Sequence, residues 1–155
     1  MKANKALKWI LLSSLALTFK PVMANTNEVK YLAMAIYYEA QGESMKGKEA
    51  VADVILNRVK HREFANSVKK VVASKGQFQW FHNHSLRGRR VFNPNKEKEI
   101  MSLARKKYFQ HITGKRNDTS RNAIFFSTGK KPAPRAKLSR KVGHHYFFTL
   151  KPKRK

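Results

Sequence analysis

The sequence predicts an α+β fold that is mainly α, with a small β element. Three observations carry this. Apolar residues recur at helical spacing through most of residues 27–113, glycine and proline punctuate those stretches, and two short aromatic segments sit near the C-terminus. The chain has 155 residues and is 41% hydrophobic, enough for one domain with a real core.

The first helix is expected over about residues 27–41, where Val29, Leu32, Ala33, Ile36, Tyr37 and Ala40 form a stripe. Asn25 is its expected cap with Glu28 as partner, and Gly42 its left-handed stop. The second starts near Ser44 or Gly47 and runs to about Lys60, with Val51, Val54, Ile55, Leu56 and Val59 facing inward. "NSVKKVVAS" gives a short third helix capped by Asn66 or Ser67. "KGQFQWFHNHSLRGRR" reads as an irregular basic and aromatic segment. Pro94 opens the longest helix, roughly 95–113, with Ile100, Leu103, Ala104, Tyr108 and Ile112 as its core line and Gly114 as its stop. After the polar loop "KRNDTSRN", the segments "AIFFS" (123–127) and "HHYFFTL" (144–150) are expected to pair across a Pro- and Lys-rich loop.

Residues 1–24 read as an export signal. Lys2, Lys5 and Lys8 precede the apolar run "WILLSSLALTF", and small Ala24 ends the segment. Those 11 residues are too few to cross a bilayer, which needs roughly 20, so no stable membrane span is expected. The working domain is then 25–150, followed by a basic tail, 151–155. The absence of cysteine excludes disulfides and thiol chemistry. A net charge of +25 directs the chain toward polyanions, and export makes anionic envelope polymers the expected partner rather than nucleic acid.

Glu39 closes the apolar stripe of the first helix, three residues after Ile36 and seven after Leu32. A carboxyl group in such surroundings loses solvation and keeps its proton to higher pH, as a general acid requires. Pairing with a surface cation is the competing fate. Glu43 is read either as a substrate contact or as an acid stabilising the following turn, and Arg58 is matched with Glu43 or Glu49. Gln77 and Trp80 suit a sugar-binding wall, while His145 and Tyr146 are candidates for the cleft lining. His82, His84, His144 and His145 raise the alternative of a zinc-dependent amidase or peptidase, though HExxH is missing. A cationic binding protein without catalysis is the third reading.

"LAMAIYYEAQGESMKGKEAVADVILNRV" (32–59) resembles the opening of the SleB-type cell wall hydrolases, the spore cortex-lytic enzymes. Their Glu-Ala-Arg-Gly-Glu is matched at Glu39, Ala40, Gly42 and Glu43, with Gln41 in the arginine position; Asn57, Arg58 and Val59 end the second helix. "QFQW" (77–80) resembles the family's Gln-Phe-Ser-Trp, and "VGHHYFF" its Gly-x-His-x-Phe-Tyr, placing Gly143, His145 and Phe147. Ser127 stands where the family often has histidine, and the usual tryptophan near Pro134 is missing. The resemblance implies a compact lysozyme- or transglycosylase-like helical domain that cleaves between N-acetylmuramic acid and N-acetylglucosamine. It further implies a lytic transglycosylase with Glu39 catalytic, forming 1,6-anhydromuramic ends without a cofactor or a metal. Cleavage of the export signal would leave a secreted or periplasmic, wall-associated protein, expected to be a monomer.

Overall fold

The computed structural model describes residues 25–83, 94–129 and 132–151, with backbone only at 94 and 95. The expected signal segment, His84 and the tail beyond Lys151 lie outside the described residues.

Among the described residues, five helices and three strands follow in order: α1 (Thr26–Ala40), α2 (Met45–Lys60), α3 (Val68–Ala73), α4 (Gln79–His82), α5 (Pro94–Ile112), β1 (Phe125–Ser127), β2 (Ala136–Val142) and β3 (His145–Leu150). Among the described residues no helix is long and apolar enough to cross a membrane.

Helix α2 is the centre. Every residue from Ala50 to Arg58 is buried, because α1, α3, α5 and the sheet all pack on it. Val51, Val54, Ile55 and Leu56 have no exposed surface, and each contributes about 1.5–3 kcal/mol by leaving water. Ser44 caps α2 by accepting the Gly47 N–H, and Ser67 caps α3 through Lys70. Asn25 caps α1, but Glu28 turns away from it. Its carboxylate accepts the N–H groups of Val68 and Lys69 at 2.6 and 3.4 Å, binding α1 to the start of α3.

Three local expectations need correction. Gln41, in right-handed geometry, ends α1, and Gly42 is not among the positive-φ residues. Ile112 is 38% exposed, whereas Lys107 is 2% exposed and occupies the core side of α5. Ionic pairing decides that exchange. Asp53 on α2 is fully buried, its carboxylate meets Lys107 Nζ at 2.7 Å, and the ammonium also donates to the Asn117 carbonyl. The polar loop after α5 closes over this pair. Thr119 N–H donates to Asp53 Oδ2 at 2.7 Å, and Asn57 Nδ2 donates to Asp118 and to the Ala123 carbonyl.

The third correction concerns the sheet. The two aromatic segments pair antiparallel as expected, Phe126 opposite Phe147, but the basic loop between them contributes β2. The order is β1-β3-β2. A bulge between Leu138 and Arg140 frees Ser139, whose hydroxyl donates to the Arg121 carbonyl at 2.9 Å. Gly143, at φ +57°, opens the two-residue turn joining β2 to β3, where glycine avoids the left-handed penalty.

Candidate active site

Glu39 lies on the last turn of α1, half-buried, with Trp80 of α4 across from it. The indole Nε1–H donates to Glu39 Oε1 at 3.0 Å. Tyr38 holds the indole in place, stacking on it with ring centres 4.7 Å apart and planes 18° from parallel. Phe78 and Phe81 pack around the same ring at 6.0 Å. Trp80 is thus a hydrogen-bond donor to the carboxyl group.

Burial pushes the Glu39 carboxyl above the ordinary carboxylate pKa. The Trp80 N–H and the positive charge of Arg58 pull in the other direction and leave a net upward shift. Arg58 is itself buried, its Nε donating to the Ile124 carbonyl at 2.8 Å. Its guanidinium lies over Phe64, Phe78 and Phe125, at 5.3, 5.5 and 5.8 Å from the ring centres. Burial lowers its pKa to about 10, partly offset by Glu39, and it stays charged at neutral pH. The arrangement favours the protonated carboxyl group through burial and provides a donor and a cation for its carboxylate form.

Glu43 sits in the α1–α2 turn and belongs to a separate cluster. His144 N–H donates to its Oε2 at 3.3 Å, and His144 Nδ1 lies 3.0 Å from Oε1. His145 Nδ1 is 3.6 Å from the same oxygen. Burial works to raise the Glu43 pKa, but the His144 hydrogen bonds, then the charges of His145 and His144, outweigh it and hold it below the ordinary range. His145 is buried beside Phe126 and Phe147, and burial lowers its pKa. The expected match of Arg58 with Glu43 or Glu49 is therefore not formed. Glu49 lies 3.4 Å from Lys106 instead.

Of the other sequence candidates, Gln77 is exposed and its backbone N–H bonds the Ser74 carbonyl. Tyr146 is half-buried with Lys141 Nζ 4.8 Å from its ring centre. Alternation along β3 sends Tyr146 to the face opposite His145, so the two do not line one wall. Among the described residues no group of three His, Asp or Glu side chains is arranged to hold a metal ion. Sequence reasoning missed the stacking of Tyr38 on Trp80, the pairing of His144 with Glu43 and the link between Arg58 and Glu39. The signal for the last was an arginine at the end of a wholly apolar helix face, where burial demands a counter-charge.

The fold is thus a mainly helical domain closed by a small antiparallel sheet, with the half-buried Glu39 carboxyl group hydrogen-bonded by an indole. The chain belongs to the cell wall hydrolase family, whose pattern matches residues 42–148. It is 31% identical to the spore cortex-lytic enzyme of Bacillus cereus over 126 residues, covering 78% of this chain and 44% of that protein. The Bacillus subtilis spore cortex-lytic enzyme is 46% identical over 48 residues, 31% of this chain and 16% of the relative. The chain thus spans less than half the length of these relatives. The catalytic domain of the Bacillus cereus SleB protein superposes with a TM-score of 0.60 at 28% identity, covering 83% of this chain and 94% of that domain. The catalytic domain of the germination-specific lytic transglycosylase SleB from Bacillus anthracis gives 0.55 at 26%, covering 83% and 99%.

Proposed function

We propose that this chain cleaves peptidoglycan glycan strands between N-acetylmuramic acid and N-acetylglucosamine, as a lytic transglycosylase with Glu39 as its single acid and base. The observation that carries the proposal is the Glu39 carboxyl group, desolvated at the end of α1 and hydrogen-bonded by Trp80. The names of the Bacillus relatives support the substrate and reaction type.

Protonated Glu39 donates its proton to the bridging oxygen as the bond to the muramic anomeric carbon breaks. The leaving sugar departs with a free hydroxyl. Positive charge gathers at the anomeric carbon while Glu39 is a carboxylate, a state that the Trp80 N–H and Arg58 stabilise. The 6-hydroxyl of the same muramic residue then attacks that carbon and gives its proton to Glu39. A 1,6-anhydro ring forms, the acid is restored, and no water is consumed. Gln77, exposed ahead of α4, offers an amide for an N-acetyl group, whereas Glu43 and His145 fix the turn and the hairpin beside the cleft.

Export with removal of residues 1–24 would deliver the enzyme to the envelope, where its cationic surface holds it on anionic polymers less firmly as salt rises. Mass spectrometry of muropeptides released by the purified protein tests the reaction. Anhydromuramic ends support it, reducing ends make the enzyme a hydrolase, and freed stem peptides make it an amidase.

A further inference from the structure

Helix α5 turns a continuous face to solvent that the catalytic reading does not use. At about 100° per residue, Lys98, Ser102, Arg105, Phe109 and Ile112 fall within one narrow stripe. All five are exposed, while Ile100, Leu103, Ala104 and Lys107 point inward. Phe109 is 49% exposed and Ile112 38%, two of the few large apolar side chains left in water among the described residues. No acid interrupts the stripe. Glu97 and Glu99 lie off to its two sides, and Glu99 is bonded to Lys48 at 2.9 Å. Lys106 borders the stripe with most of its side chain in water, held only loosely toward Glu49.

We propose that this face of α5 docks on an anionic phospholipid surface, Phe109 and Ile112 entering the headgroup boundary and Lys98 and Arg105 meeting lipid phosphates. Three observations select that occupant. Cations flanking an exposed aromatic and aliphatic pair suit a surface both charged and apolar, and a dissolved polyanion has no use for the phenyl ring. A second copy would bring the same cations against each other. The apolar run at residues 9–19 is bordered by Lys8 and Lys20 and meets the same repulsion.

The chain has no cysteine, so Ile112→Cys provides a single site for an environment-sensitive dye, with Leu138→Cys, 52% exposed in the wild type on β2, as the control. The labelled full chain is mixed with vesicles of equimolar phosphatidylglycerol and phosphatidylcholine. The expected result is a blue shift at 112, little at 138, and little at either on pure phosphatidylcholine. Adding Arg105→Glu reverses one charge of the stripe and weakens vesicle binding roughly tenfold. Four results on adding vesicles or polyphosphate overturn the proposal. They are no shift at 112, an equal shift at 138, an equal response to neutral vesicles, or the same response to soluble polyphosphate. A dye at 112 already shielded before vesicles are added would assign the face to the chain itself and likewise end it.

Discussion

Trp80 Nε1 and Glu39 Oε1 lie 3.0 Å apart, so a short helix of four residues sets a hydrogen-bond donor against a carboxyl group on α1. Replacing Glu39 by Gln keeps an acceptor for that indole and a side chain of the same shape. The variant is expected to melt within a few degrees of the wild type and to lose on the order of 10²–10⁴-fold in muropeptide release. Wild-type turnover by the folded variant would take Glu39 out of the chemistry.

The Trp80 hydrogen bond favours the carboxylate and so moderates the upward shift that burial imposes on Glu39. Trp80→Phe removes the donor and keeps an aromatic ring against Tyr38. The Glu39 pKa then rises further, and the alkaline limb of the kcat/KM profile moves to higher pH. A limb that stays in place, or moves to lower pH, would show that the indole does not set this titration.

Much of this site could be read from sequence because its parts are local. Glu39 is placed by the period of α1, and Trp80 stands in the short "QFQW" stretch, although the sequence there reads as irregular and the structure forms the helix Gln79–His82. The unread portions depend on residues far apart in the chain. Nothing near Asp53 predicts that Lys107, 54 residues later, will enter the core to meet it. The clue is the carboxylate itself, set among "VADVILN" on a face that has no water to offer. Strand β2 was hidden for another reason. Its sequence "AKLSRKV" alternates weakly, because it forms an edge whose exposed residues are Lys137, Leu138 and Lys141, and its bulge breaks the period of two.

The Asp53–Lys107 pair joins α2 to α5 with almost no exposed surface on either side chain. Lys107→Met leaves a buried carboxylate facing only Thr119 and Arg116. A loss of about 3–5 kcal/mol in urea unfolding is expected. Adding Asp53→Leu removes the stranded charge and should recover part of it. A Lys107→Met protein as stable as the wild type would mean that the pair contributes nothing net.

Gly143 is constrained twice. Its φ of +57° disfavours any side chain, and a Cβ there would overlap the Glu43 carboxylate. Gly143→Ala is expected to cost more than the roughly 1–2 kcal/mol of left-handed backbone alone. In a Glu43→Ala background the penalty should fall toward that backbone value, a coupling that a double-mutant cycle measures directly. Equal penalties in both backgrounds would mean that the hairpin can shift away from the α1–α2 turn without loss.

His111 gives the fold a sensitivity to acid. It sits in the last turn of α5, and burial, then the charges of Arg116 and Lys60, lower its pKa to about 4. Its Nδ1 is buried without a hydrogen-bond partner, so a proton added there has nothing to meet. Between pH 4 and the unfolded value near 6.5, the unfolded chain binds more protons at this site than the native one. Stability from this group is therefore present above about pH 6.5 and is lost as pH falls toward about 4. With the ring's partial exposure allowed for, the loss is about 1–3 kcal/mol. Buried His145 adds to it with the same sign. Thermal melts across this range should show a sloping acid limb that His111→Gln makes shallower, because glutamine has no proton to take up. An acid limb of unchanged slope in that variant would place the sensitivity at His145 or among the carboxylates.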